Sequence, residues 1–484
     1  MNNLKQKTYK AFAWNFSGRI INMLISFIIS IFLARILEPS DFGSFAIVGV
    51  IISFSHIFMD MGLGISIVQG KNLNKYHYGS VFWFNISLGI LLSLLMYFSA
   101  NLIASFYNDY KLISYIKVLS LLFVINSSTK VIGARLQKDM NMKLPVKIGV
   151  ISSVISGSIG IAMAFLGYGI WSLIIQSLVS AIINNALFVI LNPYKISFYF
   201  KLSSLIELWS FGFRMFISGL LDSVFINLDT LVIGKLFSAT VLGFYNRAKN
   251  LNNLIIKNIS ASLMSVIMPA LSNIQDEKER YNIVIDKTLS IVSFFAFGIS
   301  GLLFITGKDL ILIIYGEKWN FAGELFSLLM LSAFAYPISS VLVNILSSQG
   351  NSKAFLRLEI YKKLIYSLNF IFGFIWGIKG FVYGLIVVYT LSVLINIFMA
   401  TKQMQLSAKW FNTKIWIYGL LAIIAAVISY LISVRINNIY IHIITASISY
   451  LGIYLIINKM LKLNAYNLLL IEIKLLKNKI IKNE

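Results

Sequence analysis

Cysteine is absent from all 484 residues, which excludes disulfides, iron-sulfur clusters and thiolate metal sites. Histidine is nearly absent: His56, His77 and His442 are too few and too scattered for a histidine-based metal or acid-base centre, and no cofactor is expected. Prolines number five and charged residues are 12% of the chain, with no charged run of domain length, so there is no room for a folded domain outside a membrane. Acidic residues are scarce even within that small share, 18 against 41 basic ones. What fills the chain is apolar: 58% of residues are hydrophobic and the mean hydropathy is +0.83, far outside the soluble range. The N-terminal MNNLKQKTYK is basic, but the apolar stretch after it is too long for a signal-peptide core and lacks a small-residue cleavage site, so it is expected to be retained.

Roughly fourteen stretches of about 20 residues are apolar enough to span a bilayer as helices. They lie near 12–34, 42–67, 80–104, 113–134, 146–166 and 169–191 in the first half. The second half has 208–234, 242–272, 283–306, 322–346, 355–376 and 380–401, and two more follow near 414–434 and 437–457. Lysines interrupt 113–134 and 242–272. In lipid every backbone N–H and C=O must be satisfied within its own segment, so the expected fold class is an all-α polytopic membrane protein. If the N-terminus is cytoplasmic, inner loops and tails hold about 27 of the basic residues and outer loops about 7, which places both termini in the cytoplasm. The net charge of +23 is then this bias plus affinity for anionic membrane lipids, with no nucleic acid required.

An internal repeat organises the spans. LARILEPSDFGSF from Leu33 recurs as IGKLFSATVLGFY from Ile233, matching Arg35 with Lys235, Gly43 with Gly243 and Phe45 with Tyr245. IASFYND around Tyr107 resembles LIIYGEK around Tyr315, and the Gly167/Gly169 turn resembles Gly377/Gly380, in the same order. An even number of spans per half makes the two halves parallel. The expected organisation is two pseudo-symmetric six-helix lobes, 1–200 and 201–402, around a central cleft, with an extra helix pair at 403–458. A basic amphipathic tail at 459–484 is expected to lie on the inner leaflet.

Polar residues at membrane depth are where chemistry is expected, since a central charge costs at least about 2.5–3.5 kcal/mol. The first span carries Trp14, Asn15, Ser17, Arg19 and Asn22; its counterpart carries Arg214, Asp222, Asn227 and Asp229. Further cations are Lys117, Lys130, Arg247, Lys249 and Lys257. Guanidinium and ammonium groups facing a watery cleft replace the water lost by a phosphate, so Arg19, Arg214, Lys257 and Asn22 are candidate substrate-binding residues. Asp222 and Asp60 are candidates for ion coupling. Each has a structural alternative: Arg19 and Arg214 lie towards the inner ends and could snorkel, the other cations could sit at the interface, and Asp60 could pair with a neighbouring cation.

Taken together, LARILEPSDFGSFAIV, FMDMGLGISIVQ, VFWFNISLG, ARLQKDMNMK, LGYGIWSL and FGFRMFISG…DTLVIGKLFSATVLGFYNRA resemble the polysaccharide-unit flippases of the Wzx type, in particular colanic-acid exporters, over residues up to about 400. The resemblance implies membership of the superfamily that also holds multidrug antiporters and the lipid II flippase. It also implies an undecaprenyl-pyrophosphate-linked oligosaccharide as cargo, a bacterial inner-membrane location, alternating access, and a polysaccharide polymerase as a pathway partner. Arg19 matches a first-helix arginine that such flippases place in their cavity. Glu38 departs from the Gly usual in that turn. A sugar polymerase or ligase would need a large reactive outer loop, and the outer loops here are mostly short, so no enzyme is expected. A multidrug or cation antiporter of the same superfamily is the alternative; it would bury mainly carboxylates, whereas here basic residues outnumber acidic ones.

Overall fold

Several apolar runs begin or end where the sequence supplies a helix cap or a residue that tolerates a left-handed turn. The computed structural model describes residues 2–194, 199–274, 277–348 and 352–469, and within them all side chains except those of 2–5, 257–270, 272–273, 347–348 and 352–354. In order come α1 (Asn2–Ile36), α2 (Pro39–Phe58), α3 (Leu63–Gln69), α4 (Lys75–Tyr107), α5 (Leu112–Leu119), α6 (Leu121–Ser127), α7 (Lys130–Lys138), α8 (Lys143–Phe165) and α9 (Trp171–Ile190). They are followed by α10 (Leu202–Leu236), α11 (Ala239–Asn273), α12 (Lys278–Tyr315), α13 (Asn320–Ala333), α14 (Ala335–Ser348), α15 (Ser352–Met404), α16 (Ala408–Ser433) and α17 (Ile439–Met460). Glu38 and Asp41 form a capping box at the start of α2, with Pro39 in the first turn. Asn74 caps α4 by accepting from the Tyr76 N–H at 3.0 Å, and Asn108 closes its far end in the left-handed conformation at φ 55°.

Among the described residues eleven helical stretches are long and apolar enough to cross a membrane, or twelve if the bent run α5–α7 is one span. The sequence reading expected fourteen, and the differences are local. The run Phe355–Met404 is counted once, but it is two helices that meet at a kink where Trp376 and Gly377 are non-helical, as expected from the spans at 355–376 and 380–401. The segment near 113–134 is broken into α5, α6 and α7. The segment near 242–272 is helical throughout in α11, and about half of its side chains lie outside the described ones. Large apolar side chains such as Phe98, Leu102 and Phe374 are more than 70% exposed, as a lipid-facing surface requires.

The repeat has a geometric counterpart. The turn between α1 and α2 at 37–38 and the turn between α10 and α11 at 237–238 share the same pattern. Leu37 N donates to Leu33 O at 2.8 Å, and Phe237 N to Ile233 O at 2.9 Å. The helix starts after these turns touch reciprocally: a Cβ on Gly43 would fall 1.7 Å from Ala239 O, and one on Gly243 would fall 1.8 Å from Pro39 O. Two backbones can approach so closely only because both matched positions are glycine. Gly167 and Gly377, in the two turns matched further along, both have positive φ, 81° and 69°.

By packing, the chain divides into two compact units, Met1–Gly243 and Phe244–Glu484. The packing division therefore leaves α10, the first helix of the expected second lobe, in the first unit. There α10 lies on α2, α3 and α4.

Two spans of the first unit are broken at the same level. α2 ends in a turn in which Met61 and Gly62 have φ 39° and 70°, and α3 continues for seven residues. α6 gives way at Ser128 and Thr129 to α7, with a bend of 41°. α3 packs on α7, α2 packs on α5 and α6, and Leu63, Ile67, Val81, Phe82, Val131, Ala134, Leu205 and Leu208 form one core beneath both breaks. Side chains take up the backbone carbonyls around the second break: Ser127 Oγ donates to Val124 O at 2.7 Å and Ser128 Oγ to Ile125 O at 3.0 Å. Thr129 is hydrogen-bonded to Asn185 of α9, whose Nδ2 reaches Asn126 at 3.4 Å. α10 crosses the first break closely: Ser66 Oγ donates to Leu208 O at 3.1 Å, and Gly62 faces Gly212.

The second unit is centred on α12, against which α13, α14, α16 and α17 pack. The C-terminal pair α16 and α17 adds Tyr418, Tyr450 and Tyr454 to this core, and Tyr454 donates its hydroxyl to Phe294 O at 2.9 Å. Of the expected amphipathic tail, residues up to 469 are described: Ala465 is buried and its N–H donates to the Tyr418 hydroxyl at 3.3 Å. Residues 470–484 lie outside the described ones.

Two stability predictions follow from these contacts. In Gly62→Ala the new Cβ would lie 2.0 Å from Gly212 O at a positive φ, so melting in detergent should fall by more than the about 1–2 kcal/mol of the left-handed strain alone. Gly49→Ala, whose Cβ would meet open space, should leave melting unchanged or raise it by about 0.5–1 kcal/mol; equal melting of the two variants would refute the close crossing. Tyr454→Phe should destabilise the second unit by about 1 kcal/mol through loss of one buried hydrogen bond, whereas Tyr430→Phe, at an exposed position, should have no effect.

Candidate functional site

α1 meets α8 along a seam set by small residues one helical turn apart. A Cβ on Gly18 would lie 2.5 Å from the Val146 methyls, and one on Gly157 would lie 2.0 Å from Ile29. Asn22 lies on the same seam: its Nδ2 donates to Gly18 O at 3.0 Å and its Oδ1 accepts from Ser153 Oγ at 3.3 Å. Asn22, expected among the substrate ligands, is therefore engaged in holding α1 to α8. Arg19, one residue past Gly18 and so about 100° round the helix, points away from the seam and is exposed.

On α10, Arg214 is also exposed, and its Nε donates to Ser210 O at 3.0 Å. This bond to its own helix fixes the start of the side chain and leaves the Nη groups for another acceptor. Neither arginine forms an ion pair among the described residues. Measured back from the matched turn residues Leu37 and Phe237, Arg19 lies about 27 Å and Arg214 about 35 Å along straight helices at about 1.5 Å per residue. Both are thus near the inner end of a hydrocarbon layer about 30 Å thick. They are not brought together by packing, since α1 lies on α8 and α10 on α2, α3 and α4.

The remaining candidates separate by surroundings. Asp222 is exposed on α10. Asp229 is buried, its Oδ1 accepting from the Thr230 N–H at 2.8 Å, and Asn227 turns back to Ser223. Lys257 lies in α11, but its side chain is outside those described. Lys117 sits 4.9 Å from the ring centre of Tyr97. Arg247, in the second unit, is buried over the rings of Tyr315 and Trp319 at 4.9 and 5.4 Å, the environment of a cation held by aromatic faces. Asp60 accepts from the Gly64 N–H at 2.9 Å and so caps α3 across the first break. Its charge and that of Lys130, at the second break, act on each other.

Sequence reading did not single out the Asn126, Thr129 and Asn185 cluster. The signal was present as two asparagines in otherwise apolar runs, INSST and INNAL. Outside the spans a further cluster forms where α4, α7 and the loop after α9 meet. Arg135 lies over Tyr78 and Tyr194, and Tyr194 is hydrogen-bonded to Asp139. Burial first, and then the Asp139 carboxylate, push the Tyr194 hydroxyl up to about 12.

Comparison with known proteins places this geometry. The family described as "Polysaccharide biosynthesis protein" matches residues 32–324, a range that begins after Arg19. The lipopolysaccharide biosynthesis protein WzxC of Escherichia coli (strain K12) is 24% identical over 442 residues, covering 89% of each chain. Among solved structures, the lipid II flippase MurJ in an inward closed conformation superimposes with a TM-score of 0.74 at 17% identity, covering 94% of this chain and 99% of that one. A multidrug resistance MATE family transporter of the MOP superfamily, in an inward-facing conformation, gives 0.61 at 12% identity over 79% and 94%. The fold is the one these transporters share, and with more than half of its length matched the chain belongs to the polysaccharide biosynthesis protein family.

Proposed function

We propose that this protein is a flippase that carries an undecaprenyl-pyrophosphate-linked oligosaccharide from the inner to the outer leaflet of a bacterial cytoplasmic membrane, for polysaccharide biosynthesis. Family membership and a MurJ-like fold support transport of a lipid-linked saccharide, and nothing in the proposal requires catalysis. The observation that carries the reading is the pair of exposed arginines, Arg19 and Arg214, near the inner ends of their spans and free of carboxylate partners. With both termini in the cytoplasm, as the basic loops indicate, these guanidinium groups stand at the depth of inner-leaflet phosphates. A pyrophosphate entering sideways from that leaflet would meet them, with Lys257 as a third candidate deeper along its helix. Alternating access of two six-helix lobes, 1–200 and 201–402, then delivers the unit outside, where a polysaccharide polymerase is the expected recipient.

A multidrug or cation antiporter would use the same fold, so the fold does not separate the two readings. The exposed cations favour the anionic cargo. Transfer of two negative charges out of an inside-negative cell is downhill by about 4.6 kcal/mol per 100 mV.

Arg19→Ala and Arg214→Ala should each lower surface polysaccharide about 10- to 100-fold at normal membrane abundance, as expected for loss of a charge-assisted contact of about 1.5–3 kcal/mol. Lysine should rescue in part, because it lacks the bidentate fork. Snorkelling arginines would instead tolerate lysine fully and respond to alanine through abundance alone. Full export by both alanine variants at normal abundance would overturn the anion site.

A further inference from the structure

Where α4 and α10 begin, the first unit carries cations that cargo binding as described above leaves unused. α4 has 33 residues, about 48 Å along its axis, against about 40–45 Å for a bilayer with its headgroup regions. Both of its ends therefore reach headgroup level. At the starting end, Lys75 Nζ lies 4.4 Å from the ring centre of Tyr199 and 5.4 Å from that of Tyr76. Lys201 Nζ lies 6.0 Å from the Tyr76 ring, and the two rings are 5.6 Å apart. Two ammonium groups thus converge on one pair of tyrosines, all four side chains being exposed.

The arrangement is held in register at two points. Buried Ser80 of α4 donates its Oγ to Lys201 O at 2.9 Å and accepts from the Lys201 N–H at 2.7 Å. Further along α10, Glu207 bonds His77 of α4 at 2.8 Å. That contact also occupies the carboxylate in the first turns of α10, and neither lysine forms an ion pair among the described residues. Other cations of the chain do close on acids: Lys414 on Asp286 and Lys379 on Glu324. The first N–H groups of α4, at Tyr76 and His77, are taken by Asn74, so what the site offers is side-chain charge and not a helix end. Beside the cations stand exposed Phe200, Leu202 and Ile206, the last two one turn apart on the same face of α10. Uncompensated positive charge, interfacial tyrosines and open apolar surface at headgroup level match the three parts of an anionic lipid.

We propose that Lys75, Lys201, Tyr76 and Tyr199 form a binding site for an anionic glycerophospholipid of the inner leaflet. The phosphodiester lies between the two ammonium groups, the tyrosine hydroxyls donate to its oxygens or to the headgroup, and the acyl chains run over Phe200, Leu202 and Ile206. A zwitterionic lipid carries its own cation beside the phosphate, so the two lysines select for net negative charge. The leaflet rests on the orientation proposed above; the lipid class does not depend on the cargo. Arg214 lies 13 residues beyond Lys201 on α10, about 20 Å away along the helix, so this site is separate from the proposed cargo cations. A lipid seated here touches both α4 and α10 and adds a lipid-dependent joint where Ser80 and His77 already fasten them.

The test is native mass spectrometry of the full-length protein in detergent with equal amounts of dioleoyl phosphatidylglycerol and dioleoyl phosphatidylcholine as probes. The wild type should retain one phosphatidylglycerol severalfold more often than one phosphatidylcholine, and phosphatidylglycerol should raise its melting temperature by a few degrees. Lys75→Gln/Lys201→Gln should lose both effects, whereas Lys75→Arg/Lys201→Arg should keep them. Lys402→Gln/Lys409→Gln, which removes the same charge from exposed positions of the second unit, should behave as wild type. A wild type without preference, or a Gln double variant that keeps it, would overturn the site, and an equal loss in the second-unit control would reduce it to bulk charge. Displacement of phosphatidylglycerol by an equal concentration of undecaprenyl pyrophosphate, lost in the same Gln variant, would give the site to the cargo and overturn the lipid assignment. The leaflet is checked separately with Asn72→Cys, which introduces a single cysteine into a chain that has none. An impermeant maleimide should label it in inside-out vesicles only; labelling in right-side-out vesicles would overturn the inner-leaflet placement and the orientation behind it.

Discussion

A bilayer leaves no water for a loose backbone N–H or C=O, and this one constraint decides where the chain can bend. Both breaks within the apolar runs of the first unit are accompanied by groups that satisfy the freed backbone: Asp60 at the start of α3, and Ser127 and Ser128 at the end of α6. The same constraint explains why glycine clusters at crossings. Gly43 with Gly243 and Gly62 with Gly212 let backbones approach where any side chain would force them apart. Polar residues in the spans of the first unit therefore fall into two kinds, those consumed by the fold and those left over.

That distinction accounts for what could be read from sequence. Hydropathy locates the spans because one apolar run makes one helix, and the repeat was legible because its turns are built from matched residues, Leu33 to Phe45 and Ile233 to Tyr245. Breaks were not legible. FMDMGLG and INSST sit inside runs that remain apolar on average, so a 19-residue window passes over them. Among candidate site residues, Arg19 and Arg214 kept the exposed positions that a ligand role needs. Asn22 did not, because an amide one turn after Gly18 belongs to the α1–α8 seam, a contact between residues 131 positions apart that composition cannot reveal. Arg247, which reads as an interfacial cation in sequence, is buried because Tyr315 and Trp319 arrive from a different helix and turn.

Acidic side chains are few, and many are already committed. Asp286 pairs with Lys414 at 2.9 Å, Glu324 with Lys379 at 3.0 Å, Glu207 with His77 at 2.8 Å, and Asp309 with His442. The most open of these, Glu324 with Lys379, adds little stability. On the proposed reading the consequence of these pairs is electrostatic: carboxylates engaged in this way do not offset the exposed arginines, whose field would attract anions.

On the proposed reading, the placement of those arginines towards the inner ends of their spans also bears on release. Two charge-assisted contacts to a pyrophosphate, at about 1.5–3 kcal/mol each, would hold the cargo by about 3–6 kcal/mol. A dianion crossing an inside-negative membrane gains about 4.6 kcal/mol per 100 mV. The two quantities are comparable, so a site made of two cations near the inner surface would bind strongly enough to select the phosphate and weakly enough for the field to draw it away. A third or fourth arginine in the same place would tip that balance towards a trap. A paired carboxylate would remove the binding.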